Sequence, residues 1–288
     1  MFISILLLIL LSALCHASWN IIAKGAKDKL TLMWLQMIFN AILLTPIVFI
    51  FPHIPPVKAI PFLIASGIFQ ALYYIVLSKS YDSGNIATVY PLTRGSAPIF
   101  VCIFSTLLNI DTITLPMFFS IFLITFGIYC VNLRTLNKNE LLIPFKMLKK
   151  DKSTRLSILL GIIIAIYTII DKQNAKLVNP IVIYYIITII PMLILAPMLL
   201  KRDKIKNELS NKDIIRVILV AILTLFAYLL VLVAMSVTNV SFVSSIREIS
   251  VVFVTIYSAI KFSDSNWKPK IIGSLIIFLG IIFLSYFS

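Results

Sequence analysis

Long apolar runs broken by short polar stretches set the rhythm of this chain. A helix rises 1.5 Å per residue, so crossing a hydrocarbon core of about 30 Å takes about 20 apolar residues. Runs of that length predict ten helical spans, at 2–23, 31–51, 59–79, 84–108, 113–133, 156–176, 180–200, 214–237, 239–261 and 267–287. Only 134–155 and 201–213 are left as substantial connectors. The first mixes apolar residues with lysines, and two readings stay open for it: a short helix on the membrane surface or a solvated linker. The opening run has no Lys or Arg before Lys24, and Leu14 precedes Cys15. Both features disfavour a cleaved signal peptide, so this run is expected to span.

The pattern also repeats. WNIIAK at 19–24 aligns with YTIIDK at 167–172, and Tyr74 and Asn85 align with Tyr228 and Asn239. Each Asn opens a run that carries an Arg further on, Arg94 in one and Arg247 in the other. Five spans duplicated in order is the expectation. Because five is odd, the second copy enters the bilayer from the opposite face, giving an inverted repeat of the kind that supports alternating access.

Composition agrees with lipid as the solvent. The chain is 60% hydrophobic and 12% charged, with a mean hydropathy of +1.06, whereas soluble domains carry about 25% charged residues. The net charge of +14 does not point to nucleic acid, because 20 of the 25 Lys and Arg sit in or beside the loops after spans 1, 3, 5, 7 and 9. By the positive-inside rule those loops, with the basic linker 134–155, are cytoplasmic and both termini lie outside. Cys15, Cys102 and Cys130 all fall inside apolar runs. No cluster has metal-ligand spacing, and there is no nucleophile motif or phosphate-cradling glycine loop. No cofactor, metal or catalytic centre is expected.

HASWNIIAK, YPLTRGSAP, the Tyr167 and Asp171 pair, and SSIREISVVF together resemble the EamA-type branch of the drug/metabolite transporter superfamily over the whole chain. The resemblance implies an all-α polytopic membrane protein: ten transmembrane helices as two inverted five-helix repeats, 1–133 and 156–288, around a central cavity. It also implies transport of a small metabolite. The expected reading is a secondary transporter exporting an amphipathic solute such as an amino acid. A flippase for a lipid-linked sugar is the alternative, and a membrane enzyme or sensor ranks below both. Membrane lipid and the solute are the expected partners, and proton coupling stays open. The Ile, Lys and Asn richness suggests a bacterial inner membrane.

Polar residues inside the spans mark the candidate site. Arg94 and Arg247 lie about 12 to 15 Å deep, where an Arg costs about 2.5–3.5 kcal/mol and calls for compensation. Either the guanidinium groups hold an anionic group of the substrate, or they cap carbonyls and pair with Glu248 and Asp171. These four charges sum to zero, which favours a zwitterion over a strongly anionic cargo. Glu248 is a candidate proton carrier, although permanent pairing with an Arg is the plainer reading. His16 with Asn20, Tyr90 with Arg94, and Tyr167 with Asp171 are i, i+4 pairs, each on one helix face. With Trp19, Tyr74 and Tyr228 they complete the expected lining. Tyr184 and Tyr286 are expected as interfacial anchors, and Pro91 and Pro98 predict a kink around Arg94.

Overall fold

In a computed structural model the described residues are 2–51, 53–83, 86–131, 133, 135, 137, 151–200, 205, 211–262 and 267–287. They form α1 (Phe2–Ala23), α2 (Lys29–Ile50), α3 (Ile60–Ser83), α4 (Ile86–Leu107), α5 (Leu115–Val131), α6 (Lys152–Ala175), α7 (Pro180–Leu199), α8 (Asn211–Val237), α9 (Val240–Arg247), α10 (Ile249–Phe262) and α11 (Trp267–Phe287). Among the described residues eight helical segments are long and apolar enough to cross a membrane, α9 and α10 together supplying one of them. The chain is a polytopic, all-helical membrane protein with two repeat halves. α5, with 17 residues, reaches about 26 Å and is a little short for the core.

Local chemistry explains the helix ends. Asp28 opens α2 by accepting from the Thr31 N–H at 3.0 Å. Asn179 opens α7 by accepting from the Ile181 N–H at 2.9 Å, with Pro180 at the first helical position. Lys152 to Arg155, expected in the linker, form the first turn of α6 instead, because Asp151 takes the Thr154 N–H at 2.8 Å. The two readings of the rest of that linker concern 138–150, which lie outside the described residues.

One span departs from expectation: the ninth is interrupted at Glu248, the junction of α9 and α10, whereas α4 runs as one helical element from Ile86 to Leu107. Neither proline nor glycine marks that break. Its local signature is a tightened turn: the Glu248 N–H reaches the Ser245 and Ile246 carbonyls.

The chain divides into two compact units, Met1–Tyr74 with Ile170–Val237, and Ile75–Ile169 with Thr238–Ser288. In the first, α1 packs on α8, and α2 on α7 and α8. The packed face of α1 sets small and polar residues beside the buried Ile5 and Ile9, while its outer face is large and apolar. Ser12, Ala13, His16 and Ala17 are buried, and Leu7 is 60% exposed with Leu11 and Leu14 at 50%. The small and polar positions suit packing in lipid, which draws on close approach and hydrogen bonds. Ser12 supplies one such bond, donating to the Ala227 carbonyl at 2.6 Å.

In the second unit α5 packs along α11, α4 packs on α5 and α9, and α10 packs on α11. Glycines let α5 and α11 touch. A Cβ on Gly127 would lie 2.8 Å from the Gly273 carbonyl oxygen, and one on Gly273 2.5 Å from the Val131 nitrogen.

Candidate functional site

The first unit holds a buried carboxyl with neutral partners. Asp171, on α6, has no exposed surface. Ser66 of α3 donates to its Oδ1 at 2.5 Å, and Tyr228 of α8 donates to Oδ2 at 2.5 Å. Gln70, one turn beyond Ser66, reaches Oδ2 at 3.4 Å. Lys172, the nearest cation in sequence, donates to the Met235 carbonyl at 2.6 Å. Lys172 is buried, and that carbonyl gives its ammonium a partner inside the fold.

The same unit carries a second polar network that the sequence did not single out. Gln36 Oε1 accepts from Asn40 at 3.0 Å and from Thr224 at 2.8 Å, and Asn40 also donates to the Tyr184 hydroxyl at 2.9 Å. Tyr184 is therefore no interfacial anchor: it is 6% exposed, held inward by Asn40. The neighbouring Tyr185 hydroxyl meets Thr45 Oγ1 at 3.0 Å.

On α1, His16 is 3% exposed, and its Nδ1 accepts from the Trp19 indole at 3.2 Å. Asn20 donates back to the His16 carbonyl at 2.7 Å. The expected pair on one helix face thus exists, with Trp19 joined to it, and part of its hydrogen bonding is spent within its own helix.

In the second unit Arg94 of α4 reaches Glu248 at the α9–α10 junction, Nη1 to Oε1 at 3.4 Å, with their side chains 12% and 5% exposed. This is a single long contact rather than a bidentate one. Glu248 Oε2 is buried and has no hydrogen-bond partner among the described residues. Arg247, one residue earlier, is half-buried.

A carboxylate missed in the sequence positions this junction. Asp111, in the connector after α4, is 5% exposed and accepts from the Ser241 N–H at 2.9 Å and the Val240 N–H at 3.3 Å. It caps α9, a role that Asn239 fills by position without a side-chain bond. Ser105 and Ser241 add a hydroxyl pair at 2.8 Å between α4 and α9. Asp111 was legible only as one acidic residue in a short loop.

Of the eleven expected residues, the structure brings Asp171 to Tyr228, Arg94 to Glu248, and His16 to Trp19 and Asn20. Tyr74 is half-buried and lies edge-on to Tyr73, their ring centroids 5.1 Å apart. Tyr167 is buried on α6. Tyr90 lies on α4, and its side chain is outside the described residues. Among the described residues no three His, Cys, Asp or Glu side chains gather closely enough to hold a metal ion.

The EamA-like transporter family matches residues 3–133 and again 154–286. No curated protein matches the chain. A solved structure described only as "Crystal structure of protein" is similar at a TM-score of 0.77 and 12% identity, covering 99% of this chain and 97% of its own. At that identity the likeness concerns the fold alone.

Proposed function

Because the chain belongs to the EamA-like transporter family, we propose that it is a secondary transporter that exports a small amphipathic zwitterion, such as an amino acid, across a bacterial inner membrane. The observation that carries the choice of solute is the loosely held Arg94–Glu248 pair, with one carboxylate oxygen left unpartnered among the described residues. A buried guanidinium and carboxylate that are not saturating each other offer a zwitterion two complementary charges. Its carboxylate takes the planar fork of Arg94 and its ammonium takes Glu248. The charges of the pair cancel, and the adjoining Arg247 adds one positive charge that suits the carboxylate end of such a solute.

Of the other expected residues, Tyr90 shares a face of α4 with Arg94 by its i, i+4 spacing, and Arg247 adjoins Glu248. We assign Arg247, with Tyr167, to the solute's surroundings. The interrupted ninth span supports this reading, since broken helices in transporters serve binding. Rocking of two inverted five-helix halves about a central cavity is proposed on the duplication in the sequence.

The test is flux. Purified protein reconstituted in liposomes should move one or more members of a radiolabelled amino-acid panel faster than empty liposomes. No flux for the panel, together with translocation of a fluorescent lipid-linked sugar, would replace this reading with the flippase.

A further inference from the structure

Asp171 and Glu248 are both buried within apolar spans, and their partners differ in one chemical respect. Arg94 can only donate a hydrogen bond and is always charged, so it forms an ion pair with Glu248 only while Glu248 is ionised. Protonating Glu248 would end that ion pair. The partners of Asp171 impose no such choice. The Ser66 and Tyr228 hydroxyls, each 2.5 Å from a carboxyl oxygen, donate to a carboxylate and can turn to accept from a carboxylic acid. Gln70 Nε2 donates to Oδ2 at 3.4 Å and to Ser66 Oγ at 3.4 Å, closing the cluster.

The charged groups around Asp171 are few. Its own helix offers Lys172, which donates to the Met235 carbonyl, and Asn174 one turn on, and α3 and α8 offer Ser66, Gln70 and Tyr228. His16, on the helix packed against α8, is joined to Trp19. Among the described residues no Lys, Arg or His makes an ion pair with Asp171. A carboxyl sealed from water with no cation beside it is cheaper neutral than charged, whereas the same group wetted and facing three donors is content as an anion.

From this geometry we propose that Asp171 is the proton-exchange site of the protein, with Ser66, Gln70 and Tyr228 as its positioning residues and Glu248 excluded from that role. The carboxylate takes one proton from water when the cluster is wetted from one side and releases it when wetted from the other. No electrons move and no bond other than O–H forms or breaks. The proposal rests on the transporter reading for its purpose but not for its detection.

The experiment is infrared difference spectroscopy of the purified full-length protein in lipid, titrated with acid and with no solute present. Above about pH 5.5, water-exposed carboxyls with ordinary values near 4 are already ionised. In that range a carboxylic-acid C=O band should grow on acidification, vanish in Asp171→Asn and persist in Glu248→Gln. Tyr228→Phe, which removes a donor to the charged form and changes little else, should keep the band and move its midpoint to higher pH. The proposal is overturned by a full band in Asp171→Asn, by its loss in Glu248→Gln, by an unmoved midpoint in Tyr228→Phe, or by no titrating band in the wild type. The last result with amino-acid flux intact removes the proton site and leaves the transporter. A titrating Asp171 band without flux does the reverse.

Discussion

Asp171 and Glu248 are both acidic residues sealed inside apolar helices, and their surroundings give them opposite lives. Glu248 sits against a guanidinium, and Asp171 against two hydroxyls and an amide. A cation beside a carboxylate favours its charged form, which suits a role in holding a charged solute. A carboxylate among groups that can donate or accept is free to change state. Asp151 sharpens the comparison from outside the membrane. Like Asp171 it is bonded by nearby hydroxyls, those of Ser153 and Thr154. Being wet, it keeps the full benefit of those donors, and they push its carboxyl down to about 2 from 3.8. The same donor chemistry thus has different consequences where water is excluded.

The largest effect expected from breaking this contrast is at Arg94. Arg94→Ala strands a buried carboxylate, and losing one partner of a buried pair costs about 3–5 kcal/mol. Flux should fall to background and thermal stability in detergent should drop. Replacing both residues, as in Arg94→Met with Glu248→Leu, removes the stranded charge. The double variant should recover most of the stability and none of the flux. Recovery of both would mean the pair serves folding alone.

Charge removal at the two carboxyls separates them next. Glu248→Gln weakens a charge-assisted contact, a loss of about 1.5–3 kcal/mol, while Asp171→Asn leaves no unpaired cation and should cost about 1 kcal/mol or less. Unfolding curves for the two variants in the same lipid–detergent mixture would show the order, and equal losses would erase the contrast. Tyr228→Phe should cost about 1 kcal/mol as well, measured the same way, and its reporting value lies in the titration it shifts.

The smallest effect belongs to Asp151. Its folded-state value is depressed, so its bonds contribute fully above the unfolded value of 3.8 and are lost as pH falls towards about 2. Amide exchange in the first turn of α6 should therefore quicken over that window and stay flat above it. Asp151→Asn should flatten the response.

How much of this was legible in the sequence follows from range. Arg94, Asp171, Arg247 and Glu248 announce themselves as charges in apolar runs, and a single span suffices to see them. Their partners do not. Ser66 and Gln70 are ordinary residues in a helix until the fold brings Asp171, more than a hundred positions away, against them. Gln36, Asn40 and Thr224 were missed for the same reason, and Tyr184 was misjudged because a tyrosine near a helix end is an anchor unless something inside holds its hydroxyl. The break at Glu248 carries no proline or glycine, so no local rule of helix interruption would find it. The helix count, by contrast, needs only hydropathy and length, and the duplication needs only order.

One measurement tests the division of labour between the two carboxyls most directly. In proteoliposomes, solute exchange without gradients requires binding and turnover but no net proton movement, while accumulation driven by a pH gradient requires both. For an amino acid transported by the wild type, Asp171→Asn should keep exchange and lose accumulation, and Arg94→Ala should lose the two together. Exchange at the wild-type rate by Arg94→Ala, or loss of exchange along with accumulation in Asp171→Asn, would contradict the account.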